Sequence, residues 1–543
     1  MTRSLVAAVV WHTLAALIEP ANPDDPYRGM SLAAGDSHQH AATIAMLDRE
    51  ARDPPVPGFA QGLHELGSAA DAFEAMRGGG YDWGSVSHHD TNHPGQRANI
   101  CIDPSSAKYL WRARNLQQPG FPDASGPSGA LVSPPSNEAL ALARIASAHN
   151  VDGDGGFLAL TGREFTNHAF TPKGVGPREG GHKIVILPGE TSGLCAADGR
   201  LHGDEYCRDE YRLYRWLASA SVPPGVLIQA HPGPADAMDL RPLHPRHAPG
   251  GFSDAFVQGV EVSSSKNDPQ WEAAYQRLLR SGYRVFPAFG SDSHDATSVR
   301  QGANARKGAT ICWVEARTRA ALLDAMHARR CYYAASLRPG LRYQMRPVEA
   351  GPWVAMGGLV DAPDGRVAIS LLALNDPRNA NGDSRLTRRF DRIELVDARG
   401  AVVHAAACTR SADGRDVCRL ELPELHVGDG ALYPRIRMEG PHPRACRSSH
   451  TPDLLPNCDK LVIGSAIYVN WDRYLETTPY RVCRFGAEDT PCETPGCLPA
   501  ALDRDRDGYP DGCDVCPDVF DPKQPDRDRD GFGDACPRRG GPR

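Results

Sequence analysis

Tyr81-Asp82-Trp83-Gly84-Ser85-Val86-Ser87-His88-His89 is a short apolar run that ends on two imidazoles. The same texture recurs on both sides of it. Upstream lies Gly35-Asp36-Ser37-His38-Gln39-His40. Downstream come Gly162-Arg163-Glu164-Phe165, Gly181-His182-Lys183-Ile184-Val185-Ile186-Leu187, Gln229-Ala230-His231-Pro232 and Gly290-Ser291-Asp292-Ser293-His294. An apolar run of four to eight residues reads as a buried strand. A lone His beside such a run is more often a satisfied core or surface residue than a ligand. Six elements in series point instead to a multinuclear metal site built at the ends of successive strands.

Working outward, residues 30–336 alternate strand-like and helical stretches. Strands are expected near 83–87, 157–161, 183–187, 226–230, 259–262, 284–289 and 309–314. Helices are expected near 137–149, 205–219, 268–280 and 318–329; the last carries a helical stripe of Ala321, Leu322, Ala325 and Met326. Such alternation implies parallel strands in an α/β fold, with a barrel expected at this strand count. In barrels of that kind chemistry sits at the carboxyl ends of strands. Across 345–485 helical periodicity fades and short strand-like runs dominate, which reads as a small β-sandwich-like domain. Residues 499–537 differ again: an acidic repeat with almost no apolar content, unable to build a core.

At 543 residues, two or three domains are expected. The net charge of −7, without any Lys/Arg block, argues against nucleic acid as a general partner. Residues 1–22 open Met-Thr-Arg-Ser and continue through a mostly apolar Leu5 to Ile18, the pattern of a secretory signal. A short buried helix is the other reading. No other stretch is long and apolar enough to span a bilayer. Of 15 cysteines, 14 follow residue 190, several as close pairs in polar loops: Cys195/Cys207, Cys408/Cys418 and Cys446/Cys458. That usage fits disulfides in an oxidising compartment, hence an exported protein. Cys101, Cys312 and Cys331 lie near apolar segments and read as plain core residues.

Imidazole and carboxylate are the donors expected for Zn²⁺, Mn²⁺ or Fe²⁺. Strand alternation puts His38 and His40 on one face, and likewise Asp292 and His294. A carboxylate such as Glu164 can bridge two ions about 3.5–4 Å apart. The order of these motifs resembles the polymerase-and-histidinol-phosphatase (PHP) superfamily of metallohydrolases, and more closely its CehA/McbA-like members. Tyr81 to His89 is similar to their Asp-Trp/Phe-x-x-Val-Thr-Asp-His segment. Gly181-His182-Lys183-Ile184 is similar to a Gly-His strand. Arg329-Arg-Cys-Tyr-Tyr-Ala-Ala-Ser336 and Gly464-Ser-Ala-Ile-Tyr-Val469 resemble two further segments, so the likeness covers about residues 30–475.

The resemblance implies a distorted (β/α)₇ barrel with two or three divalent metals. His38, His40, Glu164 and Asp292 would hold the first, and Glu164, His182 and His231 the second. His89 and His294 would serve a third. His88 and His89 are the catalytic candidates. Two positions depart from the family pattern. His88 stands where the family has Asp, and could bind metal, act as an acid or replace a supporting carboxylate. Met46 stands where some members have a third-site ligand, so a third metal is not assumed. The activity implied is hydrolysis by metal-activated water of a phosphoester, or of an ester, amide or carbamate. The substrate would be a small molecule or a surface-exposed group.

The tail carries Asp503-x-Asp505-x-Asp507-Gly508-x-x-Asp511, Cys513-Asp-Val-Cys516 and Asp526-x-Asp528-x-Asp530-Gly531-x-x-Asp534-Ala-Cys536. Oxygens at alternating positions with a turn Gly suit a Ca²⁺ loop. The segment resembles thrombospondin type-3 repeats, which implies Ca²⁺-ordered loops with Cys516 joined to Cys536, and Cys513 to an upstream Cys such as Cys497. A disordered acidic linker is the plainer reading. The rival to an enzyme is a calcium-dependent surface or matrix adhesion protein with the barrel as scaffold, its tail making cell-surface or matrix contacts. Deleting residues 499–543 should abolish Ca²⁺ uptake in equilibrium dialysis; uptake that survives the deletion refutes the calcium loops.

Overall fold

The computed structural model describes residues 24–41, 69–89, 135–166, 182–187, 225–232, 257–264, 271–280, 282–293, 308–335, 339–375, 389–438, 460–477 and 519. The signal-like start, the expected helix near 205–219 and the acidic repeat lie outside these residues, Val519 apart.

The described chain is mixed α/β and mostly sheet. Its first half runs β1 (Ser31–Gln39), α1 (Ala69–Gly78), β2 (Trp83–His89), α2 (Pro135–His149), β3 (Leu158–Thr166), β4 (His182–Leu187), β5 (Val226–Gln229), β6 (Val257–Ser264), α3 (Glu272–Arg280) and β7 (Phe286–Gly290). Then follow β8 (Ala309–Val314), α4 (Arg319–His327) and β9 (Cys331–Ala334). Strands β1 to β7 are neighbours in chain order, and β8 and β9 continue the sheet on the other side of β1.

The pairings β1/β2, β2/β3, β5/β6 and β6/β7 are parallel. The uniform parallel order expected from the sequence fails at β8, antiparallel to β1, and at β4, which runs antiparallel to both β3 and β5. For β4 the reason is legible in hindsight. A parallel neighbour needs a crossover, usually a helix, and residues 167–181 are rich in Gly and Pro without an apolar stripe. Strand β4 therefore starts at the rim where β3 ends, and His182 lies two register steps from Glu164.

The row is rolled so that β7 returns to β1. Gln39 and Ser293 form a parallel bridge. The Asp292 amide donates to the His38 carbonyl at 2.8 Å, and the His40 amide to the Ser293 carbonyl at 2.8 Å. Ala33, Trp83, Leu158, Leu160, Ile184, Ile186, Ile228, Phe286 and Ala288 fill the inside. Helix α4 adds Leu322, Leu323, Ala325 and Met326 to the same core. Its N-cap Thr318 accepts the Ala321 amide at 3.2 Å. Outside, α1 presents Ala69, Ala72, Phe73 and Met76 at helical spacing, with Phe73 edge-on to Phe157.

The second half adds β10 (Gly340–Pro347), β11 (Val354–Ala355), β12 (Leu359–Val360), β13 (Arg366–Asn375), β14 (Phe390–Asp397), β15 (Val402–Ala407) and β16 (Thr409–Arg410). It ends with β17 (Asp416–His426), β18 (Gly430–Met438), β19 (Lys460–Gly464), β20 (Ile467–Val469) and α5 (Trp471–Thr477). Strands β11-β10-β13-β17-β16 form a five-stranded sheet. Strands β14, β15, β18, β19, β20 and β12 instead join the first sheet, because β19 pairs antiparallel with β9. Leu341, Tyr343, Ile369 and Leu371 share one core with Ile393, Leu395, Tyr433 and Val462.

Two disulfides lie among the described residues. Cys408–Cys418 is one of the expected close pairs. Cys312–Cys331 corrects the reading of both as plain core thiols. They are 19 residues apart in sequence, but the β8/β9 register sets them directly opposite each other, a pairing that spacing alone does not reveal.

A buried ion network joins α3 to the second half. Arg435 donates to Glu272 at 2.9 Å and to Glu394 at 2.7 Å, and the Tyr433 hydroxyl donates to Glu272 at 2.7 Å. Arg437 also donates to Glu394, at 3.0 Å. Removing one member of a buried network strands the others without compensation. Arg435→Ala should cost about 3–5 kcal/mol in urea unfolding; a loss below about 1 kcal/mol, the scale of a surface pair, would show that water replaces the guanidinium.

Candidate metal centre

Five strands, β1, β3, β4, β5 and β7, bring their polar residues to one rim. On β1, Ala33 packs in the inner core, whereas its neighbours Leu32 and Ala34 pack outside. Strict alternation would send His38 outward with Ala34. The β1/β2 register shifts between Asp36 and Gln39, and this irregularity turns His38 inward. His40 follows two residues on, and the two rings meet with their Nε2 atoms 3.0 Å apart. On β3, Glu164 continues the inward series of Leu158 and Leu160. It lies inside the strand, which runs five residues past the expected end at 161.

His231 and Asp292 stand just past β5 and β7, both at positive φ, 20° and 49°. Left-handed backbone at non-glycine residues is strained, and it concentrates where a site needs a side chain aimed against the run of the strand.

The donors converge on Glu164. Its Oε1 lies 2.5 Å from His182 Nδ1, 3.0 Å from His231 Nε2 and 3.7 Å from His38 Nε2. Its Oε2 lies 3.4 Å from His40 Nε2. Asp292 Oδ1 is 3.4 Å from His40 Nε2 and 3.7 Å from His38 Nε2. Donors about 2.1 Å from a tetrahedral ion stand about 3.4 Å apart, so these separations suit ligands around a small cation. Three overlapping groups could hold one: His38, His40 and Glu164; His38, His231 and Asp292; and Glu164, His182 and His231. His38, His40 and Glu164 are fully buried, whereas His182 and His231 are partly open to solvent. The site therefore has a closed floor and an open side.

Other side chains fasten this set. Asp36 Oδ1 accepts the His38 amide at 3.0 Å and the Ser291 amide at 2.9 Å. The Ser291 hydroxyl donates to the His38 carbonyl at 2.9 Å. Glu261, inside β6, sits against His38 and the His231 backbone. Gly290 leaves room for it, since a Cβ there would come 2.0 Å from Glu261 Oε1. Trp271 stands beside His231, ring centres 6.5 Å apart.

The charges explain why a cation belongs here. Burial opposes a charged His38, yet Glu261 and Glu164 outweigh it and hold the imidazole well above its usual range. Burial likewise opposes charge on His231, but the Glu164 bond and the nearby carboxylates raise it to about 9. Burial would raise the Asp292 carboxyl, but His40 and His38 hold it well below the usual carboxylate range. Asp36, deeper in, is pushed up by burial to about 6 against its bonds from Ser291 and His38. Without metal, imidazolium protons are the counter-charge to these carboxylates. A divalent ion takes over that role and needs the imidazoles neutral.

The structure thus brings together His38, His40, Glu164, His182, His231 and Asp292. For His88 and His89 it gives backbone register only: His89 is paired with Glu164, and His88 with Arg163. Position 89 shares the sheet face of Glu164, and position 88 lies on the other. His294 lies outside the described residues, as do Asp503, Asp505, Asp507, Asp511, Asp526, Asp528, Asp530 and Asp534. The same holds for Cys195, Cys207, Cys497, Cys513, Cys516 and Cys536. Sequence reasoning leaves Asp36, Ser291 and Trp271 without roles; it reads Glu261 as a carboxylate that either supports the ligands, faces substrate or is structural. The one signal for Glu261 is a carboxylate in the middle of the apolar Gly259-Val-Glu-Val262 run.

The proton–metal competition has a sign. The folded protein holds His231 at about 9 against 6.5 for a free imidazole. The metal-free protein therefore has the full stability from this group below about pH 6.5 and loses it as pH rises through about 9. Apparent Zn²⁺ affinity should climb over that window, with proton release. Calorimetry in buffers of different ionisation heat measures the release, and binding without it would contradict this charge assignment.

No family model matches the chain, and neither does any curated protein. Among solved structures, it is similar to a two-domain protein from Bacteroides vulgatus described as containing a predicted PHP-like metal-dependent phosphoesterase. That similarity is 12% identity and a TM-score of 0.32, over 81% of this chain and 96% of that one. A likeness of that size fixes neither fold nor activity.

Proposed function

We propose that this chain is an exported, divalent-metal-dependent hydrolase that directs water onto a phosphoester, or onto an ester, amide or carbamate. One observation carries the reading: a fully buried carboxylate, Glu164, shared between His182 and His231 on one oxygen and His40 on the other. A shared carboxylate among imidazoles is what a two-metal site requires. The rolled β1–β7 row supports reading the first half as a distorted (β/α)₇ barrel of PHP type, CehA/McbA-like in its motifs.

Bound divalent ions would supply an acidified water and a polarised scissile bond. The chain's residues do the rest. His38, His40 and Asp292, with Glu164, hold one position; His182 and His231, with Glu164, hold the next. The buried floor of His38, His40 and Glu164 excludes bulk water beneath the reacting atoms. The half-open His182 and His231 mark the side from which substrate enters, beside the Trp271 indole. His89, in register with Glu164, is the better placed of the two catalytic candidates to add a third-site ligand. Export is supported by Cys312–Cys331 and Cys408–Cys418, since such bonds persist in oxidising compartments. The Asp-rich tail completes the proposal as a Ca²⁺-binding, thrombospondin type-3-like appendage.

Full-length protein reconstituted with Zn²⁺ or Mn²⁺ should cleave members of an aryl phosphate and aryl carbamate panel. His38→Ala or Asp292→Asn should lower kcat/KM by at least about 100-fold, the scale of losing several kcal/mol of electrostatic stabilisation. Activity unchanged by both substitutions, or purified protein that takes up no divalent transition metal, would sink the hydrolase.

A further inference from the structure

We infer that Glu261 is the positioning residue of the centre: one carboxylate that fixes the ring of His38 and the backbone of His231 together. The inference rests on the two-metal reading above. Glu261 is buried on the inward face of β6, in register with Ala288 of the inner core. Its Oε1 is 2.9 Å from His38 Nδ1, and its Oε2 accepts the His231 amide at 2.7 Å. Both oxygens are thus aimed at donors that belong to two different ligands. Among the described residues Glu261 is in none of the groups that could hold an ion, so its place is behind the ligands.

Each bond has a distinct effect. A carboxylate at His38 Nδ1 keeps the proton there, leaving the Nε2 lone pair for the centre, where His40, Glu164 and Asp292 converge on it. Imidazole ligands commonly have their other nitrogen tied in this way, and loss of that tie costs roughly 10–100-fold in metal affinity. At His231 the bond holds an amide whose residue sits at φ 20°, a conformation that persists only where its surroundings over-determine it. His38 and His231 are 193 positions apart in sequence and their rings stack at 5.7 Å; Glu261 sets that spacing from behind. Gly290 is part of the device. A Cβ there would meet both Glu261 Oε1, at 2.0 Å, and His38 Cβ, at 2.6 Å.

The test uses the full chain as metal-free protein. Zn²⁺ affinity is measured by chelator competition, and ligand geometry by the visible absorption of the Co²⁺-loaded form. Glu261→Gln keeps the size but has one acceptor oxygen for two donors. It should weaken Zn²⁺ binding by about 10–100-fold and change the Co²⁺ spectrum at saturation, while the metal-free melting temperature moves little. Glu261→Asp, which retains the charge but falls a methylene short, should lie between Gln and wild type. If Glu261→Gln folds poorly, the Asp variant decides alone. Wild-type affinity together with an unchanged Co²⁺ spectrum, in whichever variant folds, overturns the positioning role. Wild-type protein that binds neither ion overturns the two-metal reading itself, a separable result.

Discussion

The centre depends on one seam, where the end of β7 is hydrogen-bonded to the end of β1. His38 and Asp292 are the candidate ligands furthest apart in the described chain, and this seam makes them neighbours. Two backbone links close it, Asp292 amide to His38 carbonyl and His40 amide to Ser293 carbonyl, and the Ser291 amide adds a bond to the Asp36 carboxylate. Loop-closure entropy for so long an intervening chain is only slightly greater than for a short one. The inner core of β1–β7 offsets that cost, and the seam turns it into a fixed spacing between donors. Both ligands are then set by backbone bonds, not by rotamer preference alone. That is why Asp292 keeps a left-handed φ of 49°: a relaxed strand would carry its carboxylate away from His40.

The same seam concentrates charge. Three carboxylates, Glu164, Glu261 and Asp292, lie within bonding or ion-pair distance of His38 alone. In low dielectric such a cluster is stable only with compensating positive charge. Protons on imidazoles can supply it, as the upward shifts of His38 and His231 show. A divalent ion supplies more charge at the point where the oxygens and nitrogens already converge. The arrangement therefore suits a cation, and the roles divide by atom. Nitrogens and oxygens of six residues converge, while Glu261 uses both oxygens, and Asp36 its Oδ1, on the frame.

Much of this was legible in the sequence because a polar donor beside an apolar run is chemically conspicuous. His38, His40, Glu164, His182, His231 and Asp292 were all found that way, and the strand 309–314 coincides with β8. What escaped depends on parity and direction, which a local pattern does not encode. The register shift in β1 changes which face His38 occupies, yet Asp36-Ser-His-Gln carries no mark of it. The reversal of β4 puts His182 on the ligand rim through the start of its strand, where a parallel strand would have put it at the opposite end. Cys312 and Cys331 become partners only once β8 and β9 are antiparallel. Glu261 was visible as an odd carboxylate in an apolar run, but its two partners come from β1 and the turn after β5.

The boundary drawn between barrel and β-rich segment also needs a physical restatement. Composition changes near residue 345, but hydrogen bonding does not stop there, because β19 extends the first sheet through β9. The link reaches the site by a short path. Arg435 and Tyr433 of β18 hold Glu272, the first residue of α3. The preceding residue is Trp271, whose amide donates to the Val262 carbonyl of β6 at 3.4 Å and whose indole stands beside His231. An aromatic wall at the open side of the centre is thus anchored from β18, some 160 residues further along the chain. A β-rich segment that merely followed the β1–β7 sheet would have no need of a buried guanidinium between two carboxylates at this junction. Its desolvation is costly and is recovered only if the geometry it fixes is held, and the geometry fixed here is the start of the helix that borders the metal centre.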